Sequence, residues 1–137
     1  MAHPFHHAKS SARRLGGTPR DYLHLHNWMD STKSHIGDAR HRLLLHNAWG
    51  IFLGEQIFGV TFIRESDGHE MPTRLILEQH VIEDLGRIPS LSDCFESVPV
   101  EKWMHRNALP LSLTLGLQEE SDANNITEEI PEVHAGD

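Results

Sequence analysis

The stretch EQHVIEDLG, Glu78 to Gly86, places His80, Glu83 and Asp84 at positions i, i+3 and i+4. On a helix those spacings bring three side chains to one neighbourhood. An imidazole beside two carboxylates can hold a divalent transition metal or pass protons. The same residues also fit a wet helix face on which a histidine pairs with acids. Local design favours the first reading: acids in a last helical turn oppose the helix dipole, and a locally poor choice of this kind marks a site.

A second concentration lies in DARHRLLLHNAWGIFLGEQI, which reads as one helix over about residues 37–57. At about 100° per residue, His41, Leu44, Leu45, Ala48, Ile51, Phe52 and Glu55 share a broad face, while His35, Asp38, Arg42, His46 and Trp49 fall opposite. Glu55 and His41 sit among apolar side chains, where an ionised carboxylate needs a partner. They cannot share one ion, because fourteen residues of helix separate them by about 21 Å. The expected metal ligands are therefore His41 or His46 with Glu55, His80 and Asp84, with Glu83 as the catalytic proton carrier. The central expectation is that His80 and Glu55 converge inside the fold. His6, His7 and His26 are further candidate ligands, drawn from twelve histidines of which eight precede residue 47. For any single histidine, packing or solvation remains the plainer role.

These groups need elements to hold them. TPRDYLHLHNWMDS opens with Thr18, Pro19 and Asp21, a capping-box spacing with Pro at the first helical position. Tyr22, Leu25 and Trp28/Met29 then recur at helical spacing. FGVTFIRESDGHEMP alternates at Val60 and Phe62, turns at Ser66-Asp67-Gly68 and returns through Met71-Pro72, which reads as a two-stranded hairpin. So short a hairpin must lie on the helices to be stable. A third long helix runs from near residues 72–74 to Gly86, and Ser90 with Asp93 caps a short one after it. The expected fold is mainly α, a compact helical domain with a small two-stranded β-hairpin. Its expected parts are a basic, His-rich arm over 1–17, the helical domain over 18–106 with the hairpin near 58–73, and an extended acidic tail over 107–137.

Charge bears on partners. The net charge of −8 is carried mostly by residues 117–137, where seven acids stand without Lys or Arg; elsewhere thirteen acids face twelve bases. The first twenty residues carry Lys9, Arg13, Arg14 and Arg20 and no acid. A basic arm and an acidic tail could each engage a protein partner, or an oligomer. Four charges fall short of the strongly basic face of a nucleic-acid domain. One cysteine, Cys94, forms no internal disulfide and no CxxC zinc site, which points to a cytoplasmic protein. No apolar run approaches the ~20 residues of a membrane span. HExxH, a His-Asp pair, ExxH, GxSxG and GxxxxGK are all missing from the sequence.

HPFHHAKSS, GGTPRDYLHLHNWMD, RHRLLLHNAWGIF, EQHVIEDLGRIP and KWM, in this order, resemble an uncharacterised domain family of small bacterial and phage-encoded proteins over roughly residues 3–104. The EQHV-x-EDLG-x-IP string is its most specific part. His6, His7, His26, His41, His46, Glu55, His80, Glu83 and Asp84 match positions of that pattern. The chain departs from it at Asn47, Trp49 and Cys94, where the pattern carries histidine, an acid and tryptophan. The resemblance implies a site and a bacterial or phage host but no reaction.

Three functions fit. The leading one is a small metal-binding protein using Zn, Mn, Fe or Ni, with metal-dependent hydrolysis as the reaction such a site would suit. The alternative is a non-enzymatic interaction or assembly protein whose His and carboxylate groups form a structural network. The third is a nucleic-acid-binding factor that uses the basic arm.

Overall fold

The computed structural model describes residues 3–105; the expected acidic tail lies outside the described residues. Residues 3–97 belong to one compact unit, and residues 98–105, which fall outside it, contain a 3-10 turn at Lys102–Met104. The compact unit is mainly α. Its long helices are α1 (Pro4–Leu15), α2 (Pro19–Met29), α4 (Ala48–Phe58) and α5 (Thr73–Leu85). Shorter pieces are 3-10 turns at Ser31–Ser34 and Ala39–His41, α3 (Arg42–Leu45) and α6 (Leu91–Phe95).

The segment expected as a basic arm is α1, started by the His3 ring, whose Nδ1 accepts from Phe5 N–H. It buries His7, Ala8 and Ser11 and leaves Arg13 and Arg14 exposed in its last turn, where cations suit the helix dipole. α2 carries the Thr18/Asp21 capping box, and α6 carries that of Ser90 and Asp93. α5 ends at Gly86 in the left-handed region, φ 78°, where glycine carries no Cβ penalty. Ala8, Tyr22, Leu25, Met29, Leu45, Ile51, Ile76, Leu77 and Val81 make the core between these helices.

The helix expected over about 37–57 is instead a 3-10 turn followed by two helices, α3 and α4. The ladder breaks at His46-Asn47, with Asn47 extended (φ −158°, ψ 177°) as the N-cap of α4. The Asn47 amide does both jobs a break requires. Its oxygen accepts from Gly50 N–H at 2.9 Å, and its nitrogen donates to the Leu43 and Leu44 carbonyls that end α3. Gly50 is required here, since a Cβ at that position would collide with the Leu45 carbonyl. Apolar periodicity continues through the break, which is why it reads as one helix.

The hairpin is β1 (Thr61–Ile63) against β2 (Glu70–Pro72), antiparallel, pairing Thr61 with Pro72, Phe62 with Met71 and Ile63 with Glu70. It lies on the helices as expected. Phe62 packs edge-on against Tyr22, and Arg64 reaches under the turn to the Leu15 carbonyl at 2.7 Å and the Tyr22 hydroxyl at 3.0 Å. Asp21 answers from α2, accepting from Ser66 N–H and Oγ–H as well as from Thr18 N–H.

A candidate metal centre

Four donors meet where the end of α2, the α3–α4 break and the last turns of α5 come together: Asp30, His46, His80 and Asp84. α5 supplies His80 and Asp84 from one face. The break supplies His46, and Asp30 is the C-cap of α2. The ring nitrogens His46 Nε2 and His80 Nε2 stand 3.1 Å apart. Asp30 Oδ1 lies 3.4 Å from the first and 3.3 Å from the second. Asp84 Oδ2 lies 3.0 Å and 3.3 Å from the same two atoms. Bonds of ~2.0–2.1 Å at tetrahedral angles put donor atoms about 3.4 Å apart, so these spacings suit a zinc-sized ion. His46 and His80 are fully buried, and the carboxylates of Asp30 and Asp84 nearly so.

Around the four stand more polar groups. His41 Nδ1 lies 2.8 Å from the Asp38 carbonyl, which can only accept, so Nδ1 carries the proton in the neutral ring and Nε2 carries a lone pair. That lone pair faces Asp30 Oδ1 at 3.6 Å, and neither atom has a hydrogen-bond partner among the described residues. His7 Nε2 approaches Asp84 Oδ1 at 3.2 Å, and Arg42 reaches the same oxygen at 3.5 Å. Lys33 donates to Asp30 Oδ2 at 3.1 Å. His26 Nδ1 lies 2.9 Å from His80 Nδ1.

The titration of these groups follows from their neighbours. Burial alone would raise both aspartates, but the nearness of His46 and His80 outweighs it at Asp30, and that of His46, His7 and His80 outweighs it at Asp84. Both carboxyls are thereby held far below the ordinary carboxylate range. His46 moves the other way. Burial resists its protonation, yet the hydrogen bonds and charges of Asp30 and Asp84 raise it above its usual value. His26, buried and flanked by His80 and His7, is pushed down to about 2 and is neutral at any working pH.

Of the residues expected from sequence, His46, His80 and Asp84 come together, with His41, His7 and His26 in the surrounding layer. Helical spacing puts His41 and His46 on opposite faces, yet the 3-10 turn that carries His41 and the break at His46 bring both to Asp30. Glu83, partly exposed, flanks His7 Nδ1 at 3.8 Å. His6 is exposed on the outer face of α1. Glu55 does not join His80: it lines a separate cavity of about 190 Å³ with Ile51, Phe52, Arg74 and Glu78. The reason is again the break, which sets the phase of α4 independently of α3. Asp30 escaped the sequence reading. Its signal is the one that marked Asp84, an acid at a helix C-terminus where the dipole disfavours it.

A small, mainly α domain with a buried two-His, two-Asp cluster that could hold a metal ion is the class these observations define. Among known families, the chain belongs to "Domain of unknown function (DUF6915)", whose sequence profile matches residues 2–104. No curated protein and no solved structure matches it. No helix among the described residues is long and apolar enough to cross a membrane.

Proposed function

We propose that this chain is a metal-binding protein whose site is built from Asp30, His46, His80 and Asp84. The observation that carries this reading is the convergence of acceptor atoms. Two ionised carboxylates and two imidazole Nε2 atoms point at one small volume, with the lone pair of His41 close behind. Like atoms brought this close inside a protein repel unless a cation or protons lie between them. A divalent ion satisfies all four donors at once and ties α2, α3 and α5 together. Two imidazoles with two carboxylates suit Zn²⁺, Mn²⁺ or Fe²⁺.

A second reading, metal-dependent hydrolysis, is favoured by the polar layer on one side of the site. A closed structural centre needs four ligands and little else. Here Arg42 and the partly exposed Glu83 extend the polar groups outward from the buried donors. A bound ion would supply Lewis acidity. Glu83, 3.8 Å from His7, which in turn approaches Asp84, is the carboxylate that would take a proton at that edge.

Cobalt substitution tests the binding reading. Untagged protein loaded with Co²⁺ is expected to give the intense visible absorption of a four- or five-coordinate ion with nitrogen and oxygen ligands, lost in Asp30→Asn. A spectrum of hexa-aqua cobalt at saturating protein rejects the site. Hydrolysis is tested separately by comparing turnover of generic phosphate and carboxylic esters by the loaded wild type and Glu83→Gln.

A further inference from the structure

Beside the cluster lies a run of buried side chains whose hydrogen-bond direction is fixed by elementary valence. Ser11 Oγ has one proton and three neighbours: the His7 carbonyl at 3.1 Å, Gln79 Oε1 at 2.9 Å and His26 Nε2 at 2.9 Å. The orientation of Gln79 is settled by its other end. Its amide nitrogen faces Glu83 Oε1 and the His7 carbonyl, both of which only accept. Gln79 Oε1 is thus the oxygen, and Ser11 is faced by two carbonyl-type acceptors. The single proton goes to Gln79 Oε1, which has no other hydrogen-bond donor among the described residues, and this leaves Ser11 Oγ with only a lone pair for His26 Nε2. His26 Nε2 must therefore be the donor.

The rest follows atom by atom. His26 is fully buried, its two ring nitrogens face only Ser11 and His80, and no carboxylate among the described residues touches it, so the ring carries one proton; with Nε2 protonated its Nδ1 carries a lone pair. That lone pair faces His80 Nδ1 at 2.9 Å, so His80 Nδ1 carries the proton. In a neutral His80 the Nε2 is then bare, and it is the atom that faces His46, Asp30 and Asp84. The fold thus selects the ligand tautomer of His80 from a serine on another helix.

We propose that His26 and Ser11, held by Gln79, are positioning residues that fix His80 in the Nδ1–H tautomer and present its Nε2 lone pair to a divalent metal ion. Partners behind a ligating histidine typically change metal affinity about 10–100-fold when removed. A histidine doing this in place of the usual carboxylate or backbone carbonyl keeps the negative charge of the site on Asp30 and Asp84. The proposal takes its metal from the reading above, but its tautomer argument does not use the metal at all.

Nitrogen-15 correlation spectra of the full chain, metal-free and zinc-loaded, decide it together with zinc competition titrations. The expected result is Nε2–H on His26 and Nδ1–H on His80 in both forms of the wild type. In Ser11→Ala, His80 is expected to become a tautomer mixture when metal-free, with zinc affinity about tenfold lower; Ser11→Thr, which keeps the hydroxyl, retains both properties. A purely packing role for Ser11 would leave the tautomers alone. Nδ1–H on wild-type His26 overturns the proposal, and so does unchanged zinc affinity in Ser11→Ala. If that variant does not fold, the wild-type spectra still decide. Wild type with the expected tautomers but no zinc binding overturns the metal-binding reading and the proposed purpose of the chain, leaving only its direction standing.

Discussion

Two buried polar clusters stabilise this small domain, and they are built on opposite principles. Under the hairpin, Arg64 donates to the Leu15 carbonyl, the Tyr22 hydroxyl and Asp67, while Asp21 accepts from Ser66 and Thr18. Each donor there meets an acceptor, and the knot closes on itself. Between α2, α3 and α5 the pattern is different: two carboxylates and two ring nitrogens converge, and polar atoms beside them go unpaired. Among the described residues, Asp30 Oδ1, His41 Nε2, Arg42 Nε, His46 Nδ1 and His7 Nε2 are buried without hydrogen-bond partners. Buried polar groups in folded proteins are nearly always satisfied. A network that satisfies itself serves the fold, and one that leaves lone pairs converging is asking for an ion.

The contrast is broken most severely by removing the ion. Stripping metal with a chelator is expected to lower stability by about 4 kcal/mol relative to protein held at a thousand times its dissociation constant. Paired melts with and without chelator check this, and identical melts would contradict it. Asp30→Asn, which is similar in shape, should lose the same increment and bind no metal. Arg64→Met should lower the melting temperature with metal content unchanged, because its partners lie in the other cluster.

Gly50→Ala sharpens the comparison from the backbone side. The added Cβ meets the Leu45 carbonyl, so the α3–α4 break must shift and carry His46 with it. A loss of about 1–3 kcal/mol is expected from the clash, together with weakened metal binding, read by denaturant melts and zinc competition. Gly68→Ala in the hairpin turn has open space around it, and its left-handed φ of 73° should cost only about 1 kcal/mol.

A smaller effect is the pH profile of the metal-free protein. His46 is raised in the fold, so its contribution is full below the ordinary histidine value near 6.5 and is lost as pH rises through the higher folded value. His26 is lowered to about 2, so its contribution is full above 6.5 and is lost as pH falls toward 2. Metal-free protein should therefore be most stable near pH 6.5, by urea melts across pH. The hairpin knot departs only in acid: Asp21 is lowered despite its burial by the Ser66 and Thr18 bonds, so its contribution disappears as pH falls below about 3.8.

Much of this was legible in the sequence where local rules are strong. The Thr18/Asp21 and Ser90/Asp93 caps, the Gly86 stop and the hairpin turn are all local chemistry, and the elements follow them. The i, i+4 relation of His80 and Asp84 survives because a helix carries it intact. What sequence concealed is long-range or exceptional. Apolar periodicity running across Asn47 hid the break, and with the break went the true phase of Glu55, which lies beside Arg74 and Glu78 in a cavity of its own. Asp30 was hidden by standing alone after Met29, although its place at a helix end carries the same dipole penalty that drew attention to Asp84. The chain of Ser11, Gln79, His26 and His80 joins residues up to 68 positions apart, which no local pattern encodes.

Elemental analysis of untagged protein, purified without added metal and then equilibrated with a modest excess of zinc, tests the central claim most directly. The account predicts about one tightly held metal ion per chain in the wild type and none in His80→Ala. Folded wild-type protein that remains metal-free after that equilibration would contradict it.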